Sequence, residues 1–276
     1  LEKTLDVDVL LKLGEKADID VLGSVTVTAD GSSQKCEAQK NADLVLQNQF
    51  AGEKISHSVI RIRLGVAWDE AFCFYYRDNL EFLEKQGVQI VRFSPVHDKH
   101  LPDDLDGLLL GGGYPELYAK ALEENETIRN EIRRKAEEDM PILAECGGYL
   151  YLLKELEDEN GTGYEMAGVF SGKGYKKGKN SHFGYITVQT EKDSLYLKAG
   201  ETIKGHEFHY WESTQDENEL KMQAKKPTGK RSWPCVTVKN QVMAGFPHLY
   251  YPSQEGFGER FVQACDRYRM KRKRQQ

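Results

Sequence analysis

Short apolar runs alternate with stretches of helical period from Val59 to Leu156, and this alternation restricts the possible folds more than any other feature of the chain. The run VIRIRLGVA changes character every second residue, as a strand does. It leads into DEAFCFYYRDNLEFLEKQG, where Phe72, Tyr76, Leu80 and Leu83 share helical spacing, and VQIVRFS follows as a second strand. A buried strand, DGLLL, then opens into GGGYPELY. Two helical stretches lie across Pro115 to Asp139, and PILAE reads as a strand entering a helix, GGYLYLLKEL. Strands separated by helices of this length pair in parallel, so the expected class is α/β, with a mostly parallel central sheet and helices on both faces. Beyond Asn160 the pattern turns richer in strands, with MAGVF, GYITVQT, GHEFHYWE and the hairpin-like CVTVKNQVMAGF, before a closing helix over about Glu255 to Met270.

The first 58 residues fit this pattern poorly. LEKTLDVDVLLKLGEKADIDVL reads as one helical stretch, and the polar segment TADGSSQKCEAQKNADLVLQNQFAGEKISHS has little period of either kind. Residues 1–58 are therefore expected to be a linker or the remnant of another domain, and residues 59–276 to form the α/β domain. Because the chain opens on Leu1 with no strand ahead of its helix, the start of a longer protein is expected to precede it.

With 38 Lys and Arg against 44 Asp and Glu, the net charge of −6 argues against a surface built to neutralise nucleic-acid phosphates. The basic tail MKRKRQQ reads as the solvated end of the last helix. No run nears the ~18 apolar residues of a membrane span. No charged n-region with an apolar core marks a secretory signal, so a cytoplasmic protein is expected. The five cysteines, Cys36, Cys73, Cys146, Cys235 and Cys265, are odd in number and form no C-x-x-C pair, which supports neither a disulfide framework nor a zinc ribbon. Cys73, among aromatics on the expected helix, reads as core.

The most chemically loaded segment is PILAECGGYLYLLKEL. An apolar strand that ends on Cys146 and passes through Gly147 and Gly148 into a helix has the form of a nucleophile elbow, which holds a reactive side chain strained and exposed. The N–H groups of the helix N-terminus, beginning with Gly147, favour a thiolate and can cradle an oxyanion. With a histidine partner they are expected to lower the thiol from its usual ~8.5 by one to several units. Taken alone, the segment equally suits a buried structural cysteine beside a packing pair of glycines. In DGLLLGGGYPEL, Gly111, Gly112 and Gly113 free the backbone to approach a ligand and aim N–H groups at it. The spacing is not G-x-G-x-x-G, so no dinucleotide site is expected, and a plain strand-to-helix turn is the alternative. AGFPHLYYPS places His248 just past a strand, where it can meet a cysteine at a neighbouring strand end, although a lone histidine is more often structural.

Together DEAFCFYYRDNLEFLE, GGGYPEL, AECGGYLYL and GHEFHYWE, in that order and spacing, resemble the C-terminal half of the cobyrinic acid a,c-diamide synthase family over about Val59 to Asp266. Residues 1–17 also resemble the end of the segment that joins that family's N-terminal ATPase domain to this half. The resemblance implies a class I glutamine amidotransferase domain of the cobyrinate and cobyrate type, serving cobalamin biosynthesis. It implies Cys146 as nucleophile, His248 as general base and acid, Gly112 or Gly113 with Gly147 as oxyanion donors, and L-glutamine as substrate. Many class I amidotransferases carry a glutamate two residues after the histidine. This chain has Tyr250 there, in keeping with the cobalamin branch, and the group that orients His248 is left unidentified.

The same resemblance implies that the ammonia serves an ATP- and Mg²⁺-dependent amidation of the a- and c-carboxylates of a corrin precursor. That step belongs to an ATPase domain, in cis or in trans, which is expected to hold most of the tetrapyrrole. No cofactor is expected in this chain. The nearest candidate for a phosphate loop, GKGYKKGKN, has five residues between Gly172 and Gly178 where four are needed, and Asn180 replaces the required Ser or Thr; its lysines read as a solvated loop. No metal site is expected in GHEFHYWE, because His206 and His209 are three apart on a strand and point to opposite faces, whereas Glu207 and His209 share one. The readings left open are a nickel-sirohydrochlorin diamide synthase of similar architecture, a stand-alone hydrolase of the same fold, and a noncatalytic partner-binding fragment.

Overall fold

The computed structural model describes residues 62–177, 182–215, 220–228 and 231–274. The expectations for residues 1–58, including Cys36, lie outside the described residues. Strands β1 (Ile62–Ala67), β2 (Val88–Phe93), β3 (Gly107–Leu110) and β4 (Ile142–Glu145) lie in the order β2-β1-β3-β4, all parallel. They are linked by α1 (Arg77–Lys85), by α2 (Ala119–Glu124) and by α3 (Glu126–Glu137). After β4 come α4 (Gly147–Leu152) and the short strands β5 (Glu155–Glu157), β6 (Gly163–Glu165) and β7 (Lys173–Lys176). Then follow β8 (Phe183–Gln189), β9 (Thr202–Phe208), β10 (Trp211–Ser213), β11 (Leu220–Lys225), β12 (Ser232–Lys239), β13 (Val242–Gly245), β14 (His248–Leu249) and α5 (Glu255–Lys273).

The main sheet among the described residues runs β14-β9-β8-β11-β12-β13-β4-β3-β1-β2. Its core from β13 to β2 is parallel, as the strand-helix alternation predicts, and β12, β11, β8, β9 and β14 extend it antiparallel. Period-two alternation divides the core strands between two apolar layers. Leu108, Leu110, Ile142, Ala144, Val242 and Ala244 pack with Leu122 of α2 and with Ile128 and Ile132 of α3. Leu109, Leu143 and Met243 face the other way, onto Leu83 of α1 and onto Phe257 and Phe261 of α5. Helices thus cover both faces. No helix among the described residues is long and apolar enough to cross a membrane.

Several local expectations are corrected. The aromatic stretch after Ala67 is helical only from Arg77. The Asp69 carboxylate accepts the N–H groups of Ala71 (2.9 Å) and Phe72 (3.0 Å), and Phe74 forms a bridge with Gly112, so the backbone bonds a helix would need are spent elsewhere. Cys73, expected in the core, is consequently exposed, while Cys235 and Cys265 are buried. The expected long helix after Cys146 ends at Leu152, because the chain turns into β5 to pair with β7. Lys173 and Lys176 lie on β7 rather than in a solvated loop, and Lys173 Nζ meets Glu155 (2.7 Å) and Glu157 (3.0 Å). The basic tail is not simply solvated either, since Arg272 reaches the buried Asp106 at 3.0 Å.

Candidate active site

Cys146 is the residue between β4 and α4, with φ 48° and ψ −103°, a conformation that costs a non-glycine residue about 1–3 kcal/mol. Three hydrogen bonds hold it there. Its N–H donates to the Gly245 carbonyl of the adjacent β13 (2.8 Å), its carbonyl accepts the Leu150 N–H (3.0 Å), and the Gly148 N–H donates to the Gly111 carbonyl (2.9 Å). A side chain at position 148 is impossible without rearrangement, because its Cβ would lie 2.1 Å from the Leu110 carbonyl oxygen. The elbow is therefore tied to the glycine loop at the end of β3.

His248 reaches the same place by a different route. It sits on the edge strand β14 opposite His206 of β9, at the far end of the sheet order from β3, so the antiparallel extension must fold back over the carboxyl ends of the parallel strands. The clamp is Asn79 of α1, whose side chain donates to the Leu249 carbonyl (2.7 Å) and accepts the Tyr251 N–H (2.9 Å). The imidazole then lies against Gly112, where a Cβ would fall 2.3 Å from Cε1, and 4.6 Å from the ring of Phe74. At Gly147 a Cβ would lie 3.0 Å from the Gly113 nitrogen. The histidine thus lies against the glycine loop, and the loop lies against the elbow.

Gly112 has a different task from the one expected. Its N–H donates to the Phe74 carbonyl (3.2 Å), and its missing side chain makes room for His248. Among the described residues no hydrogen bond engages the Gly113 N–H, whose nitrogen lies beside Gly147. The thiol also departs from expectation. Burial pushes Cys146 up to about 12, with the charge of Glu116 adding to it and the Gly147 N–H opposing it. The helix N-terminus acts in the expected direction, but desolvation outweighs it. Burial likewise pulls His248 down to about 4, with His206 and His209 adding repulsion. At rest the thiol and the imidazole are both neutral.

A model of the CobB/CobQ-like glutamine amidotransferase domain matches residues 63–256. The chain belongs to that family. It is 38% identical over 209 residues to the cobyrinate a,c-diamide synthase of Caldanaerobacter subterraneus, covering 75% of this chain and 46% of that protein. The enzyme of the same name from Picrophilus torridus is 36% identical over 265 residues, 91% of this chain and 58% of the relative. The chain thus spans about half the length of the curated relatives it matches. Its fold resembles the solved PurLQS of Thermotoga maritima, with a TM-score of 0.52 at 18% identity, over 75% of this chain and 98% of that one.

Within this amidotransferase domain, two carboxylates escape a motif search. Glu145, the residue just before Cys146, is buried and turned toward His248, with Oε2 3.9 Å from Nδ1. Its Oε1 accepts the Tyr251 hydroxyl (3.0 Å) and the Leu249 N–H (3.3 Å). Burial pushes it up to about 8 despite those donors. Glu116, in the turn Pro115–Leu117 after the glycine loop, is buried and raised to about 7, again chiefly by desolvation. A strand ending in ILAE gives no sign that its last side chain turns to a histidine 103 residues on. Tyr250, by contrast, points away, its hydroxyl donating to Asp78 at 3.0 Å on the surface. Tyr250→Phe is expected to leave the rate of glutamine hydrolysis within about twofold of the parent. A loss as large as that of His248→Ala, in a steady-state ammonia assay, would contradict this placement.

Proposed function

We propose that this chain is the ammonia-supplying half of a cobyrinate a,c-diamide synthase, cleaving the side-chain amide of glutamine with Cys146 as nucleophile and His248 as base and acid. The observation that carries the reading is the meeting of three separate elements: the strained cysteine elbow, the Gly113 and Gly147 donors, and a histidine seated on Gly112. With both groups neutral at rest, the thiol proton passes to His248 as Sγ attacks the amide carbon, so charge forms only in the transition state. The oxyanion forms within reach of the Gly113 and Gly147 N–H groups, each donor of this kind contributing roughly 2.7–4 kcal/mol. The imidazolium then protonates the departing nitrogen, releasing ammonia and leaving a thioester. Water, deprotonated by the same imidazole, hydrolyses that thioester to glutamate.

Glu145 takes the place that Tyr250 cannot fill. Its Oε2 is the polar atom facing His248 Nδ1, an atom with no hydrogen-bond partner among the described residues. At 3.9 Å the contact is too long for a hydrogen bond. Glu145→Gln is expected to lower kcat with little change in KM, by less than the ~10⁴-fold that follows loss of a tightly bonded triad acid. A stability effect accompanies it. Because the folded carboxyl is raised to about 8 from an ordinary 4.5, the unfolded chain releases this proton first, and stability falls as pH rises from about 4.5 to about 8. In thermal melts from pH 5 to 8, Glu145→Gln should flatten that fall and be the more stable form at pH 8. A parallel decline in both proteins would contradict the buried-acid account.

Ammonia released into water is protonated, so an acceptor must be coupled to the site. On this reading a carboxylate of the corrin precursor is activated with ATP and Mg²⁺ on the other half of the synthase. The two lysines of β7 do not fit that task, since Lys173 is held by Glu155 and Glu157 and Lys176 lies 4.0 Å from Glu159. The purified chain should therefore release ammonia from glutamine and form no amide with ATP, Mg²⁺ and cobyrinate. Adding a separately expressed ATPase half should restore amide formation. Micromolar binding of Mg-ATP to this chain alone, measured by calorimetry, would overturn the division of labour.

A further inference from the structure

We propose that His182, Glu207 and His209 form a zinc site behind the candidate nucleophile, outside the catalytic machinery. The strand register brings the three together. β8 and β9 pair antiparallel with Phe183 opposite Phe208, so the next position along sets His182 opposite His209. Glu207, two residues before His209, lies on the same face of β9. His206, the histidine that a motif search would choose, faces the other way, against the rings of Phe183 and Tyr185.

The donor atoms have the spacing a metal needs. One ligand atom from each residue lies within 4.8 Å of the others. His209 Nε2 is 2.8 Å from Glu207 Oε1, and His182 Nδ1 is 3.8 Å from the same oxygen. Tetrahedral zinc with bonds of about 2.0–2.1 Å places its donors about 3.3 Å apart, between these two values. Two histidines and a carboxylate suit zinc better than magnesium or calcium.

The groups around the cluster orient it for that use. His209 Nδ1 lies 2.6 Å from the Trp211 carbonyl, which accepts only, so the proton is on Nδ1 and the lone pair of neutral His209 is on Nε2. Nε2 therefore faces the Glu207 carboxylate with acceptor against acceptor, and a proton or a cation must lie between them. Glu207 in turn accepts the Trp233 indole N–H at 3.1 Å. A ligating histidine whose other nitrogen donates to a backbone carbonyl, and a ligating carboxylate that is itself hydrogen-bonded, are the supports that metal sites characteristically carry. Phe246 stacks on His209 at 3.9 Å and Trp233 on His182 at 4.4 Å, closing two sides with apolar surface. A water completes the four ligands. Zinc here would fasten the entry of β8 to β9 around Phe208, whose carbonyl oxygen is 4.0 Å from Cys146 Sγ.

The test is zinc titration of the chelator-treated full chain after alkylation of accessible thiols, read by competition with a chromophoric chelator and by bound metal after gel filtration. One ion per chain is expected, with a higher melting temperature in the loaded form. His182→Ala and Glu207→Gln should each weaken binding by at least about tenfold, and His206→Ala should not. Glu207 is deeply buried; if Glu207→Gln fails to melt cooperatively, the more exposed His182→Ala decides the matter alone. Stoichiometric zinc unaffected by His182→Ala would place the ion elsewhere and overturn the proposal. So would the absence of saturable uptake, which would leave only a proton bridging Glu207 and His209.

Discussion

Cys146→Ala is expected to abolish ammonia release from glutamine, with a loss of roughly 10⁴-fold or more, as when the nucleophile of a coupled catalytic set is removed. Among the described residues no other thiol is placed to stand in for it. Cys73 is exposed on a loop, and Cys235 and Cys265 are buried, Cys265 against Gly107 in the core. The fold should survive, because the elbow is held by main-chain bonds from Cys146, Gly148 and Leu150 rather than by the sulfur. In a full-length synthase carrying the same change, ammonium salts should still support amidation. Loss of ammonium-dependent turnover in a protein that melts normally would mean that the cysteine does more than make ammonia.

His248→Ala is expected to slow thioester formation by roughly 10²- to 10⁴-fold, the range for a lost general base. Its pH signature follows from burial. With His248 pulled down to about 4, the ring is neutral and able to accept a proton at all pH values above about 5. The acid limb of kcat/KM assigned to this group should therefore lie well below the usual histidine region near pH 6.5. The high thiol, near 12, predicts no rise in rate from free thiolate between pH 7 and 9. A stopped-flow profile with its acid midpoint at 6.5, lost in the alanine variant, would show that His248 is more solvated than its surroundings imply.

The parallel half of the sheet was legible from the chain because each strand splits its apolar residues by parity, Leu108 and Leu110 to one layer and Leu109 to the other. The elbow was legible for a related reason. Only an apolar strand running straight into Cys-Gly-Gly leaves a side chain at φ 48° with glycine where Leu110 crowds the helix. Long-range polar pairing was not legible. The aromatic segment from Phe72 to Tyr76 has helical spacing, yet Asp69 and Gly112 draw its backbone into a turn and a bridge. The lysines of β7 gave no hint of the acidic strand β5 beside them. Glu145 and His182 acquire their neighbours only once β14 folds back and β8 finds its register, so neither has a local motif. The direction of the thiol shift is illegible for the same cause: a helix N-terminus can be read from sequence, and burial cannot.

The most direct measurement is covalent labelling with a glutamine analogue that carries an electrophilic diazoketone in place of the amide, followed by intact-mass and peptide analysis. One adduct per chain on Cys146 is expected, formed far faster than on the free thiol of Cys73, protected by glutamine and slowed by at least about 10²-fold in His248→Ala. Labelling confined to Cys73, or labelling of Cys146 at the same rate with and without His248, would contradict a catalytic Cys146–His248 pair.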